Sequence, residues 1–238
     1  MLGQPILRLD EVDSTNRVAL DWEDAPHGAA VVARSQSGGR GRLGRNWSSP
    51  RDTGLYLSVV LLPEQLENNT AFSLLVALAV AQALEKTTAL KIGVKWPNDV
   101  LCVRKNGKAL KIGGILCESR GPRIVVGIGV NLNQSEEELP PRPIFEASSL
   151  QIETGRPWSI DAVLNAILEE LDAVLSSGWD AQYRDFVRHC YGIGEVVRVK
   201  APTATTIGIF EAVGENGSLL LRTSEGLKEI VAGDISYL

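Results

Sequence analysis

The chain has 238 residues, with 24 Lys+Arg against 29 Asp+Glu and a formal net charge of −5. A balance this acidic argues against a general nucleic-acid binder, whose phosphate-neutralising surface makes a domain basic. With 44% hydrophobic and 22% charged residues the composition is that of a packed globular protein, and the length suits one large domain with a small companion.

In chain order, Ile6 to Leu9 reads as a short strand, followed at 13–16 by D-S-T-N, whose side chains suit a helix N-cap ahead of Val18, Leu20 and Trp22. Ala29 to Ala33 predicts a strand that runs into S-Q-S-G-G-R-G-R-L-G-R at 35–45, and Leu55 to Leu62 a further strand ended by Pro63. Thr70 to Lys86, rich in Ala and Leu and apolar nearly all round, predicts a buried helix. Short β-like runs follow at 94–95, 100–103, 109–118 and 124–130. Residues 134–158 are acidic and Pro-rich and predict a loop, after which 160–175 and 179–189 have the spacing of two helices. Strands at 195–200, 206–213, 218–222 and 228–232 complete the chain. The expected fold is α+β: a mixed or antiparallel sheet with packed helices over 1–190, and an SH3-like β-barrel over 191–238.

The N-terminus lacks the basic start and apolar run of a signal peptide, and the apolar stretch Leu74 to Ala81 is too short for a bilayer crossing of about 20 residues. Cys102, Cys117 and Cys190 show no C-x-x-C spacing and read as reduced thiols, which together point to the cytoplasm.

Charge is unevenly spread. Residues 25–51 hold Arg34, Arg40, Arg42, Arg45 and Arg51 with no Asp, Glu or Lys, a local island of +5 that invites an anion. Gly39 to Gly44 fits G-x-G-x-x-G, but no helical periodicity follows, so the dinucleotide-binding reading fails its context. Gly38, Gly39, Gly41 and Gly44 instead describe a mobile loop whose N–H groups and guanidinium forks could close over phosphate; a solvated basic loop is the bland alternative. Lys95-Trp-Pro-Asn-Asp99 offers a cation, a stacking plane, an amide and a carboxylate, or simply a turn. Lys111-Ile-Gly-Gly-Ile-Leu-Cys-Glu118 puts a lysine at the mouth of an apolar strand where glycines allow close approach, and 127–133 ends another strand in amides.

These segments, in this order, resemble the biotin-protein ligases over essentially the whole chain, including the C-terminal pattern at 217–235. The resemblance implies an ATP-dependent ligase that forms biotinyl-5′-AMP and transfers biotin to a lysine of a biotin carboxyl carrier protein, with Mg2+ as cofactor. It implies that Ser14, Thr15, Asn16 and Gln36 line the biotin pocket, and that Gly39, Arg40 and Arg42 close over biotin and the acyl phosphate. It places Lys111 by the carboxylate and α-phosphate with Gly114 along biotin, and Asn98, Asp99 and Asn131 around the nucleotide or its metal. Lys111, Arg42 and Asp99 are the expected catalytic residues, and Asp99 is also the expected magnesium ligand or a base toward the acceptor lysine. The motifs begin at residue 10, so a form without an N-terminal DNA-binding domain or repressor function is expected; the resemblance leaves room for a homodimer. A lipoate ligase is the nearest rival, although its usual R-R-x-x-G-G-G loop is absent. A nucleic-acid module using the Gly-Arg island and a pure interaction module are weaker ones.

Overall fold

β1 (Ile6–Val12), α1 (Thr15–Asp21) and β2 (Ala30–Gln36) form a βαβ unit whose two strands pair in parallel. The chain then adds β3 (Gly54–Leu61), α2 (Phe72–Thr88), β4 (Ile92–Lys95), β5 (Asp99–Val103), β6 (Ala109–Arg120) and β7 (Arg123–Asn131). The seven strands make one mixed sheet in the order β1-β2-β3-β7-β6-β5-β4, antiparallel beyond the first pair. The computed structural model describes residues 1–62, 71–140, 146–202 and 204–238; Pro63 as a strand end, Thr70 as a helix start and 141–145 of the expected loop lie outside them.

Alternation along the central strands sorts the two faces. Leu55, Leu57, Val59 and Leu61 of β3 and Val126, Ile128 and Val130 of β7 enter the core with α2 and α4 (Ile160–His189). The opposite face takes α1, whose Ala19 and Leu20 cover Val31, Val60 and Val125. α2 is apolar nearly all round because it lies between the sheet and α4. α4 breaks at Gly178 (φ 75°, ψ 172°), so the two expected helices meet there.

A five-residue helix, α3 (Leu150–Thr154), stands where a loop was expected. Ser149 Oγ accepts from the Ile152 N–H at 3.2 Å, Gly155 closes the helix in the left-handed region, and Leu150 is buried. Too short to show a period, it forms through its caps and burial.

The C-terminal strands β8 (Val196–Lys200), β9 (Thr205–Val213), β10 (Leu219–Thr223), β11 (Gly226–Ile230) and β12 (Asp234–Tyr237) form an SH3-like antiparallel sheet ordered β11-β10-β9-β8-β12. Among the described residues its edges β11 and β12 do not pair, so the expected barrel is not closed. The sheet is tied to the first by Trp96, whose Nε1 donates to the Gly217 carbonyl at 3.0 Å, and to α4 and the segment after it by Tyr183 Oη donating to Val213 O at 2.7 Å and Tyr237 Oη donating to Tyr191 O at 3.0 Å. Trp96 is therefore a buried strut between the sheets, not an open stacking plane. No described helix is long and apolar enough to cross a membrane.

Candidate active site

The α1 face of the sheet carries a cleft of about 760 Å3, counting space open to solvent. Its hollow exists because the strand residues that point there are small. On β7 the even-numbered Val126 and Ile128 enter the core, leaving Gly127 and Gly129 on the cleft side; on β6, Gly114 does the same. Trp47 arches over these positions: a Cβ on Gly129 would come within 2.5 Å of the ring, and one on Gly114 within 3.2 Å. A Cβ on Gly127 would strike Asn16.

One end is a buried polar network. Ser14 takes the N-cap position of α1 without a side-chain cap bond, contrary to the expected capping role. The first helical N–H, that of Thr15, is satisfied by Gln36 Oε1 of β2 at 2.8 Å, which also accepts from Thr15 Oγ1 at 3.1 Å, and Gln36 Nε2 donates to Ser49 Oγ at 2.8 Å. Asn16 gives both amide protons to protein, to Leu116 O at 3.2 Å and Glu118 Oε2 at 2.7 Å, while its Oδ1 accepts from Ser58 at 2.6 Å. It shapes the wall and has no amide proton left for a ligand.

The other end is cationic. Asp99 stands between two lysines: its Oδ1 pairs closely with Lys111, and Oδ2 with Lys95 at 3.4 Å. All three are largely buried, with side chains 14%, 6% and 15% exposed for Lys111, Lys95 and Asp99. Burial pushes the Asp99 pKa up, but the Lys111 and Lys95 ammoniums outweigh it and hold the carboxyl below its ordinary value. Lys111 Nζ lies 5.5 Å from the Trp47 ring centroid, within cation–π range.

Asp99 does not fit as the expected magnesium ligand. Both of its oxygens face ammoniums, which take up the lone pairs a cation would need. Nor do the cysteines offer a nucleophile: burial pushes each thiol up to about 12.

The glycine-rich loop closes on itself. Gly41 N donates to Arg45 O at 2.7 Å and Trp47 N to Gly39 O at 2.9 Å, around a tight turn at 42–44 in which Leu43 takes φ 57°. No helix opens after it, which removes the dinucleotide-binding reading. Arg40 pairs with Glu118 at 3.1 Å, and Arg42 Nη1 donates to Asn98 Oδ1 at 3.3 Å. Asn98 is itself fixed by donating to Ile115 O at 2.8 Å.

The structure thus brings Ser14, Thr15, Asn16, Gln36, Arg40, Arg42, Asn98, Asp99, Lys111 and Gly114 to one cleft. Gly39 lies behind it, against Ser49 and Gln36, where a Cβ would collide with the Trp47 carbonyl. Asn131 is not part of the cleft: it is buried and its amide donates to Ser148 O at 2.9 Å. The five-arginine island also divides. Arg34 pairs with Asp10 and Asp52, and Arg51 with Asp10, leaving Arg40, Arg42 and Arg45 at the cleft. Trp47, Ser58, Glu118 and Asp234 escaped the sequence reading. For Trp47 a partial signal existed: glycines alternating along an apolar strand mark a close approach by some other group, without naming it.

The chain that builds this glycine-floored cleft with its cationic end matches two family models in sequence. The Biotin/lipoate A/B protein ligase family model covers residues 9–135, and the Biotin protein ligase C terminal domain model covers residues 192–238. These define a protein ligase of the biotin and lipoate type. The chain is 33% identical to the biotin--[acetyl-CoA-carboxylase] ligase of Paracoccus denitrificans, over 96% of this chain and 99% of that protein. It is 32% identical to a bifunctional ligase/repressor BirA of Bacillus spizizenii, over 99% of this chain and 74% of that protein. The Aquifex aeolicus biotin protein ligase solved in complex with biotin and ATP superposes with a TM-score of 0.85 at 32% identity, covering 98% of each chain. The chain belongs to the biotin protein ligase family and is an enzyme of the ligase class.

Proposed function

We propose that this cleft is where biotin meets ATP. The biotin carboxylate attacks the α-phosphorus, a new O–P bond forms and pyrophosphate leaves. A lysine amine of a biotin carboxyl carrier domain then attacks the acyl carbon of biotinyl-5′-AMP, forming the amide and releasing AMP. The observation that carries this reading is the convergence of Lys111, Arg40 and Arg42 beside the hollow over Gly114, Gly127 and Gly129.

In this reading the Ser14, Thr15 and Gln36 end takes the polar ring of biotin, with Asn16 acting through the wall, and Trp47 covers the apolar part. Gly39 supports the loop, Lys111 and Gly114 meet the carboxylate, and Arg40, Arg42 and Asn98 meet the nucleotide. The ligase portion spans 1–190 and the appended sheet 191–238. A carboxylate is already ionised at neutral pH, so adenylation needs no general base. It needs cations aimed at the charge that builds on the phosphorus, and exclusion of water when the ligands fill the cleft makes each worth more. The transfer step needs a neutral amine, from a lysine whose free pKa is about 10.4. Asp99, held ionised below its usual range, is too weak a base for that proton. Its part is to hold Lys111 in place.

Incubation with biotin, ATP and a carrier domain should add one biotinyl group to the carrier by mass spectrometry, and lipoate in place of biotin should add nothing. No addition with biotin would overturn the reading. Arg42→Gly should hold the acyl phosphate less well, raising biotinylation of bystander lysines by about tenfold through loss of a charge-assisted contact; labelling confined to the carrier at the wild-type level counts against the role. Gly129→Ala should push Trp47 out of place and weaken biotin binding by an overpacking cost of about 1–3 kcal/mol, read by calorimetry. Unchanged affinity would mean that the ring does not cover the ligand.

A further inference from the structure

The glycine-rich loop does not end its contacts within the first sheet. Asp234, the first residue of β12, reaches back to it across 189 residues of sequence and pairs closely with Arg45. The other carboxylate oxygen faces Arg42 Nη1 at 3.6 Å. Arg42 has further contacts to the Gly233 carbonyl at 3.3 and 3.4 Å and to Asn98 Oδ1 at 3.3 Å. The two arginines are therefore held differently. Arg45 makes a tight ion pair, whereas Arg42 is spread over several long contacts, most of them to neutral oxygens.

We infer that Asp234 is a positioning residue of the active site: it anchors the loop through Arg45 and keeps Arg42 loosely poised for transfer to a phosphate. The inference rests on the proposed phosphate role of Arg42. The anchor suits the task because its backbone is fixed. Asp234 pairs with Lys200 and Ile235 with Val199 across the β12–β8 ladder, Ile235 is fully buried, and Trp96 ties the same sheet to the K-W-P-N-D turn. A phosphate offers more charge and more acceptor oxygens than one distant carboxylate oxygen and two neutral carbonyl oxygens, so it takes the Arg42 fork. Arg45 remains on Asp234. The C-terminal sheet then holds the loop across the cleft while the adenylate waits for its acceptor.

The loop carries its own reporter, since trypsin cleaves after arginine. In the ligand-free full chain, Asp234→Asn should raise the rate of cleavage at 40–45 by about tenfold, the loss of a charge-assisted pair, and speed release of labelled adenylate by a similar factor. KM for biotin should stay near the wild-type value, because the biotin end does not touch the anchor. Arg45→Gln, at a 57% exposed side chain that tolerates substitution, should show the same faster release and the same faster cleavage after Arg40 and Arg42, the two sites it leaves intact, and at those sites the double variant should be no worse than Asp234→Asn alone. Wild-type rates of cleavage or of release in both single variants overturn the inference, as does a double variant whose effects add. Arg42→Gly separates the two ideas: if it retains adenylate normally, the phosphate reading of Arg42 fails, while the cleavage rates still judge the anchor.

Discussion

Lys111→Met should reduce adenylate formation by about 10²–10³-fold, the usual cost of deleting one preorganised donor at a centre where charge builds. The side chain is 14% exposed, closely paired with Asp99 and seated against Trp47, so its ammonium is held in place before any ligand arrives. Methionine keeps the length and the contact with the indole while removing the charge. The fold should survive, because Asp99 retains Lys95 as its counter-charge, leaving one buried anion against one buried cation. Biotin-dependent pyrophosphate exchange is the measurement, with a thermal melt as control. Near-normal exchange in a folded variant would remove Lys111 from the reaction.

Asp99→Asn should act on stability first. It removes the carboxylate that stands between Lys111 and the 6% exposed Lys95, and breaking a buried pair in this way costs about 3–5 kcal/mol. The loss should depend on pH. The folded-state pKa of Asp99 lies below its ordinary value, so its contribution is present above about pH 4 and fades as acid protonates the carboxylate. Denaturant melts of wild type and Asp99→Asn should therefore differ most near neutrality and converge as pH falls below that range; parallel curves would contradict the linkage. Transfer from preformed biotinyl-adenylate adds a second reading. If Asp99 holds Lys111 and does not act as base, transfer in folded variant should fall far less than adenylate formation.

The chemistry-bearing segments were legible because each is contiguous. Gly39 to Arg45 is a turn that only a glycine-rich stretch allows, K-W-P-N-D keeps Asn98 beside Asp99, and Lys111 is three residues from Gly114 on one strand. Asn131 misled because an amide at a strand end looks the same whether it faces a ligand or, as here, the Ser148 carbonyl. Arg34 and Arg51 misled for a related reason: they count toward a local charge, but their partners Asp10 and Asp52 come together only when β1, β2 and the segment before β3 pack.

By itself the sequence determined the long helices and most strands, since periodicity and turn chemistry act over a few residues, and it determined which side chains could handle an acyl phosphate. Tertiary structure decided how they are used. The ring of Trp47 over Gly114 and Gly129, the Lys111 ammonium on Asp99, the Glu118 carboxylate on Arg40 and the Asp234 anchor on Arg45 all join residues distant in the chain. β12 belongs with them, a four-residue strand made by its pairing with β8. Charges and rings interact through space, and only the folded chain sets those distances.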